Sequence, residues 1–328
     1  MEQYRNMVAR ILKETSIPED DIFDFESSPH CNEFNQAFKF YDEAISRNAH
    51  FGIEPHLLFY KKSYSINAAA TKENEHYIIN INAGTIVHLM ERFKPENVPL
   101  NDEYADFQNL LDVSIANLMY NTALHFTFYH ELAHLIQKSD LLDSTLFERP
   151  DTVSRFSIER HILELDADTF SSLCVGTHLL QYARQCFGEN MDCESIKKLI
   201  VVACGSALLY LLSFQSNALP IYYEEYTHPH PVVRISCVVF HIVGYCLQSL
   251  EEYQLELDIQ DIVKEAMSFA HSISSNGNDR SIIEQYQEII GQEAHNIEAY
   301  IRKTRIIQET TTSLSAYKWN QEVRRRNR

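Results

Sequence analysis

The stretch that decides the fold is FYHELAHLIQ, residues 128–137, where His130 and His134 stand one helical turn apart and Glu131 follows the first histidine directly. Side chains four residues apart lie on one face of an α-helix, so both imidazoles can reach one ion at the ~2.0–2.1 Å of a zinc–nitrogen bond. Glu131 lies about 100° further round the helix, where a carboxylate can take a proton from the attacking water. The pattern therefore predicts two metal ligands, His130 and His134, and a general base, Glu131.

A third protein ligand is needed, and the stretch HILELDAD (161–168) offers one on a separate predicted helix. Catalytic zinc sites commonly take three protein ligands and keep the fourth position open. Glu164 is the predicted ligand, and Asp168, one turn further on, can accept the free N–H of a ligand histidine. His161 shares this face and is the rival ligand. Asp166 points away from the face and is predicted to be solvated.

The stretch THPHPVVRI (227–235) contains two His-Pro pairs close together. Proline fixes the backbone and restricts the residue before it, so the pairs predict a rigid, non-helical turn that presents imidazoles. His228 or His230 is predicted to donate to the oxyanion that forms as a carbonyl becomes tetrahedral, and the sequence leaves both open. A surface turn with two ordinary histidines is the alternative. Arg234 follows at the start of the next predicted helix.

Taken together and in this order, HELAH (130–134), ELDAD (164–168) and THPHPVVRI (227–235) resemble the gluzincin metallopeptidases of the CAAX-prenyl-protease and HtpX-like group. The resemblance extends over about residues 76–236. It implies a zincin-like core that hydrolyses peptide bonds with one zinc ion (Zn2+). It also implies a role for each motif residue: metal ligands His130, His134 and Glu164, general base Glu131, supporting acid Asp168, the His-Pro histidine His228, and the downstream Arg234.

Two further resemblances concern the substrate. The strand HYIININAG (76–84) matches the edge strand with which that group pairs the substrate backbone, a binding mode that β-augmentation also favours. The size and the HELAH motif also resemble the Lit-like phage-exclusion peptidases, which implies cleavage of a host protein. The predicted function is that of a zinc-dependent endopeptidase acting on a protein or peptide substrate.

Two other functions compete with that prediction. A catalytically silent, zincin-fold metal-binding or regulatory protein would keep the same ligands without turnover. A di-iron helical bundle would need paired E-x-x-H motifs on helices, and Glu225 with His228 offers the second pair. Pro229 follows at once and excludes a helix interior, so the di-iron alternative is disfavoured.

Composition limits the partners and the location. The 28 Lys+Arg and 46 Asp+Glu residues leave a net charge of −18, which repels nucleic acid and anionic membranes. The seven cysteines lack C-x-x-C spacing and several lie in apolar runs, which predicts reduced thiols in a soluble cytoplasmic protein. The charge-free run at 199–214 is shorter than the ~20 residues of a membrane span, which predicts a buried core helix. The oligomeric state stays open.

The predicted fold class is α+β and predominantly helical, with a zincin-like (gluzincin) metallopeptidase core, a small sheet and a C-terminal helical extension. Residues 106–138 form one long helical pattern with a candidate break near Asn121, and residues 139–156 are predicted to be a loop. The predicted boundaries are a metallopeptidase domain at 1–272, with N-terminal helices at 1–60 and a core at about 76–250, then a helical tail at 280–328.

Overall fold

The protein is mostly helical and carries one small sheet, as the α+β prediction requires. The computed structural model describes residues 1–138, 146–147, 156–188, 191–214, 220–250, 257–274 and 277–326. The loop predicted at 139–156 lies almost entirely outside these residues. The helices are α1 (Glu2–Glu14), α2 (Cys31–Arg47), α3 (Ala83–Arg92), α4 (Asp102–Gln108), α5 (Ile115–Gln137), α6 (Ile158–Phe187), α7 (Cys193–Leu212), α8 (Pro231–Ser249), α9 (Ile259–Ile273), α10 (Gly277–Thr310) and α11 (Ser315–Arg326).

The sheet has the strand order β1-β3-β2-β4, with β1 parallel to β3 and the other pairs antiparallel. Strand β3 is therefore an interior strand, because β1 and β2 occupy both of its edges. The expectation that residues 76–84 provide an edge strand for substrate is wrong for this reason. The strands are β1 (His56–Lys61), β2 (Ala68–Glu73), β3 (His76–Asn82) and β4 (Leu146–Phe147).

Strands β1 and β2 are absent from the sequence-based prediction. The N-terminal region predicted as helices over 1–60 ends in β1, which begins at His56. Strand β2 opens with three alanines, Ala68 to Ala70, the residue type with the highest helix propensity. All three are buried and pair across the sheet with β3, so tertiary pairing overrides the local preference.

Helix α5 carries the HELAH motif and runs without a break through Asn121. The predicted break lies earlier, at residues 109–114 between α4 and α5, because the Ser114 side chain accepts a hydrogen bond from the Asn117 N–H and starts the helix there. Every residue from 126 to 137 is buried. A helix that is enclosed all round belongs to the protein interior, and α5 packs against α6, α7 and strand β2.

Two helices, α7 and α8, are long and apolar enough to cross a membrane by length and composition alone. Such helices are weak evidence of a span, because core helices of soluble proteins pass the same test. Of their most apolar windows, 89% and 56% respectively are buried inside the protein. Helix α7 extends beyond the charge-free run at 199–214 on its N-terminal side, and its burial fits the predicted core helix.

The C-terminal helices pack on the helices that carry the motifs. Helix α10 contacts α6, α8 and α9, and α11 contacts α5 and α6. One apolar core extends from Tyr4 in α1 to Ile297 in α10. The division into a domain at 1–272 and a tail at 280–328 stays a prediction.

Candidate metal centre

Helices α5 and α6 bring His130, His134 and Glu164 together in the protein interior. His130 Nε2 lies 3.2 Å from His134 Nε2 and 3.3 Å from Glu164 Oε2, and His134 Nε2 lies 3.6 Å from Glu164 Oε1. Each of the three side chains is at most 3% exposed. Among the described residues they form a group of ligand atoms that all lie within 4.8 Å of one another.

The donor atoms of this group fit a cation. A tetrahedral zinc ion with bonds of ~2.0–2.1 Å separates neighbouring ligand atoms by roughly 3.3 Å, and the three separations above lie close to this value. Beyond its 3.3 Å contact with His130 Nε2, the buried Glu164 Oε2 has no hydrogen bond among the described residues, and a bound cation would satisfy it. The His-His-Glu group can therefore bind a metal ion.

The electrostatics of the site favour a positive charge between the carboxylates of Glu164 and Asp168. Burial alone would lower the pKa of His130, but Asp168 and Glu164 outweigh burial and raise this pKa to about 10. Burial lowers the pKa of His134 to about 4, which keeps that ligand neutral as metal binding requires. Burial opposes ionisation of Glu164, yet the nearby histidines, His228 first, hold its pKa well below the ordinary value. The carboxylates that stabilise a proton on His130 would equally stabilise a metal ion in its place.

Asp168 and Arg234 lie behind His130, on the side away from Glu164. Asp168 Oδ1 lies 3.1 Å from His130 Nδ1, and a carboxylate at this position favours the tautomer with its N–H on Nδ1. The Arg234 guanidinium donates to both oxygens of Asp168, at 2.9 Å from Nε and 2.8 Å from Nη2. Burial would raise the pKa of Asp168, but Arg234 lowers it below the ordinary value, so the carboxylate is ionised. The structure thus connects Arg234 to His130 through the carboxylate of Asp168.

We expect Asp168→Asn to weaken metal binding by ~10–100-fold, because the neutral amide no longer balances a cation held by His130. Competition with a chromophoric chelator measures the change. Asp106→Asn, the same change on the exposed face of α4, should leave the metal affinity unaltered. Equal affinities for the two variants would limit Asp168 to a structural role.

Of the two histidines in the His-Pro turn, His228 lies beside the metal ligand Glu164. Its Nε2 atom lies 3.5 Å from Glu164 Oε1, and its side chain is buried. His230 instead caps helix α8, where its Nδ1 accepts a hydrogen bond from the Val232 N–H. The structure therefore separates two residues that the sequence left equivalent.

His161 does not join the metal ligands. Its Nδ1 lies 2.6 Å from the Tyr300 hydroxyl and its Nε2 lies 2.7 Å from the Tyr226 carbonyl oxygen. Both ring nitrogens are therefore engaged by α10 and by the segment before the His-Pro turn. Because these partners come from distant parts of the chain, the spacing within residues 161–168 could not distinguish His161 from Glu164.

The prediction that Asp166 is solvated is wrong. Asp166 is fully buried, and its carboxylate accepts hydrogen bonds from Gln137 Nε2, from Ser315 N and Oγ and from the Ala316 N–H. Burial raises its pKa, while these donors lower it. The side of α6 that carries Asp166 is covered by helix α11, which begins at Ser315, so the carboxylate does not meet water.

Sequence reasoning also missed Gln137, the last residue of α5. Its Oε1 lies 2.9 Å from His134 Nδ1, so it contacts the second histidine ligand as Asp168 contacts the first. The available signal was its position three residues after His134, since residues at this spacing are neighbours on a helix surface. A glutamine at the end of a helix has no feature that singles it out without the fold.

These elements define a helical protein with a buried His-His-Glu group beside Glu131, the arrangement of a peptidase that can hold a metal ion. The family model of peptidase U49 matches residues 31–242, well over half of the chain and all three motifs. The chain therefore belongs to the peptidase U49 family, a Lit-like peptidase family. Membership makes it a peptide-bond hydrolase with a protein or peptide substrate. No curated protein and no solved structure matches the chain.

Proposed function

We propose that this peptidase is a soluble, intracellular, zinc-dependent endopeptidase of the gluzincin type that hydrolyses a protein substrate. The observation that carries the proposal is the convergence of His130, His134 and Glu164 at zinc-ligand separations. All seven cysteines lie within the described residues and all are free, which supports an intracellular location. The likeness to the CAAX-prenyl-protease and HtpX-like group rests on the three motifs alone.

In the proposed reaction, His130, His134 and Glu164 hold the zinc ion. A bound zinc ion would polarise the scissile carbonyl and lower the pKa of a water molecule to ~7. Glu131 follows His130 in α5 and is fully buried, and its carboxylate takes a proton from the attacking water and later delivers it to the leaving amine. Asp168 and Arg234 keep His130 oriented throughout.

The role proposed for His228 is to donate a hydrogen bond to the oxyanion. Its position 3.5 Å from Glu164 Oε1 supports this role, because a donor must stand beside the metal ligands to reach the reacting carbonyl. In the resemblance to the CAAX-prenyl-protease and HtpX-like group, the His-Pro histidine also corresponds to His228. His228 is proposed in preference to His230, because the Nδ1 atom of His230 caps α8.

We expect His228→Ala to lower turnover by ~10²–10³ while the metal content stays unchanged, because a transition-state donor is lost and no ligand is removed. Turnover on a fluorescence-quenched peptide library and metal analysis of the same sample measure the two effects. Loss of metal from His228→Ala would instead identify His228 as a ligand. His50→Ala, on the exposed surface, is the matched control.

The zinc site itself is tested by metal analysis of the purified full-length protein. We expect one zinc ion per wild-type chain and much less than one in His130→Ala, because two remaining ligands hold zinc poorly. The exposed His295→Ala should bind as the wild type does. Stoichiometric zinc in His130→Ala, or no metal at all in the wild type, would contradict the proposal.

The second candidate function is a metal-binding regulatory protein without turnover. The burial of the group favours it, because Glu131 is fully enclosed and Glu164 is only 3% exposed, so a substrate needs an opening to reach them. This alternative predicts that the zinc-loaded wild-type protein cleaves no member of the peptide library. Cleavage that depends on Glu131 would exclude it.

A further inference from the structure

Gln137 connects the second histidine ligand to the rest of the protein. Its Oε1 lies 2.9 Å from His134 Nδ1, and its Nε2 donates to the Leu163 carbonyl oxygen at 2.9 Å and to Asp166 Oδ2 at 2.8 Å. Gln137 is 2% exposed, so water does not compete for these contacts. The amide thus joins α5 to α6 at a buried position beside a ligand.

The contacts of Gln137 determine which way its amide points. The carbonyl oxygen of Leu163 can only accept, so the amide atom facing it must be the NH2 group. That group spends its two N–H bonds on Leu163 and Asp166, which leaves Oε1 as an acceptor towards His134. His134 must then carry its proton on Nδ1, and the lone pair on its Nε2 is free to bind a metal ion between the three ligands.

Asp166 is held as an acceptor by helix α11. It accepts from two main-chain N–H groups, those of Ser315 at 2.8 Å and Ala316 at 3.1 Å, and from the Ser315 hydroxyl. Main-chain N–H groups can only donate, so the carboxylate is available to receive Gln137 Nε2 as well. The N-terminus of this 12-residue helix also favours a negative charge at that place.

A second contact ties α11 to the end of α5. Lys318 Nζ donates to the Ile136 carbonyl oxygen at 2.6 Å. This carbonyl belongs to the last turn of α5, where the helix itself supplies no N–H donor. Helix α11 is therefore connected to this end of α5 in two ways. Lys318 contacts Ile136 directly, and Ser315 is connected to Gln137 through Asp166. The C-terminal segment is part of the support of the metal ligands, although it lies far from them in sequence.

We propose that Gln137 is a positioning residue that orients His134 for metal binding, and that Asp166 and the start of α11 hold the Gln137 amide in the required direction. The inference rests on the proposed metal centre, whose ligands it supports. It assigns the C-terminal helix a defined task, because the hydrogen-bonded path from Ser315 through Asp166 and Gln137 ends on a ligand. Loss of any hydrogen bond in this path should weaken metal binding.

The test compares metal affinity and ligand geometry in the full-length protein. Gln137→Leu keeps the volume but removes the acceptor for His134. Asp166→Asn replaces one of the two carboxylate oxygens by an NH2 donor, so the donors of Gln137, Ser315 and Ala316 can no longer all be accepted. We expect both to lower zinc affinity by ~10–100-fold and to change the visible absorption spectrum of the Co2+-loaded protein. Ser206→Ala is the matched control, because it deletes another buried hydrogen bond to α5, at the Met119 carbonyl oxygen, far from the ligands.

A double variant distinguishes a positioning path from a general loss of stability. Gln137→Glu retains acceptor oxygens for His134 but sets two carboxylates against each other, while Asp166→Asn in addition supplies a donor that relieves the repulsion. The double variant Gln137→Glu/Asp166→Asn keeps the net charge of the wild type. We expect it to bind zinc more tightly than Gln137→Glu alone, a non-additive result that two independent residues would not produce.

The outcomes separate this inference from the proposed function. If the wild type binds no metal, both the proposed metal centre and the positioning role of Gln137 are overturned. If the wild type binds zinc and both single variants bind it within twofold of the wild type with an unchanged Co2+ spectrum, only the positioning role is overturned. Equal losses of affinity in Ser206→Ala and Gln137→Leu would likewise overturn it. Rescue in the double variant supports it.

Discussion

Replacing Glu131 by Gln should abolish cleavage of the peptide library while the protein keeps its fold and its zinc. Gln fills the same volume and hydrogen-bonds as an amide, but it cannot accept a proton from water at neutral pH. General-base catalysis contributes about 10²–10⁴ to the rate, so the expected loss is at least of this order. The Glu131 side chain is fully buried in α5. It follows the proposed ligand His130 and is not itself a proposed ligand.

The comparison needs three measurements on the same preparation: the cleavage rate, the zinc content and the thermal unfolding temperature. Glu288→Gln, the same substitution on the exposed face of α10, should match the wild type in all three. Cleavage at the wild-type rate by Glu131→Gln would show the proposed mechanism to be wrong, however well zinc binds. Loss of zinc together with activity would show that Glu131 contributes to the metal site itself.

Replacing Arg234 by Met should lower the free energy of unfolding by about 3–5 kcal/mol, because it leaves the carboxylate of Asp168 charged and enclosed without its arginine partner. Arg234 is 4% exposed and Asp168 is fully buried, and two hydrogen bonds join them. Met retains much of the apolar length of the arginine side chain, so lost packing contributes less than the lost charge. Urea unfolding of the two proteins gives the difference.

Two features of the result identify its cause. Arg302→Met breaks an ion pair with Glu298 on the surface of α10, where both side chains are largely exposed, and should cost less than about 1 kcal/mol. The cost at Arg234 should also depend on pH. In the wild type the lowered pKa of Asp168 contributes stability at neutral pH that is lost as the pH falls through the folded-state pKa.

Without Arg234, the pKa of Asp168 should rise from its lowered value, because burial is then opposed by His130 without the help of the guanidinium. The penalty is then largest at neutral pH and is relieved as the pH falls and the carboxylate is protonated. The gap between wild type and Arg234→Met should therefore narrow when unfolding is repeated at a pH nearer 5. A gap that is small at pH 7, or that widens in acid, would mean that the pair adds little to stability.

The sequence by itself determined the parts of this protein that depend on local spacing. His130, Glu131 and His134 follow from four-residue periodicity within one helix, and Pro229 excludes a helix interior at His228. The prevalence of helix follows from the same kind of pattern. Each of these conclusions concerns residues a few positions apart, where the geometry of the backbone alone sets the distance between side chains.

Only the tertiary structure decided how distant segments meet. In the folded protein His228 lies beside Glu164, whereas His230 caps the start of α8. The tertiary structure placed β3 inside the sheet, between two strands that local propensity did not reveal. It buried Asp166, whose partners at Ser315 and Ala316 lie about 150 residues further along the chain. Burial and hydrogen-bond partners are properties of the packed molecule, because they depend on which faces come together, and no spacing within one segment contains that information.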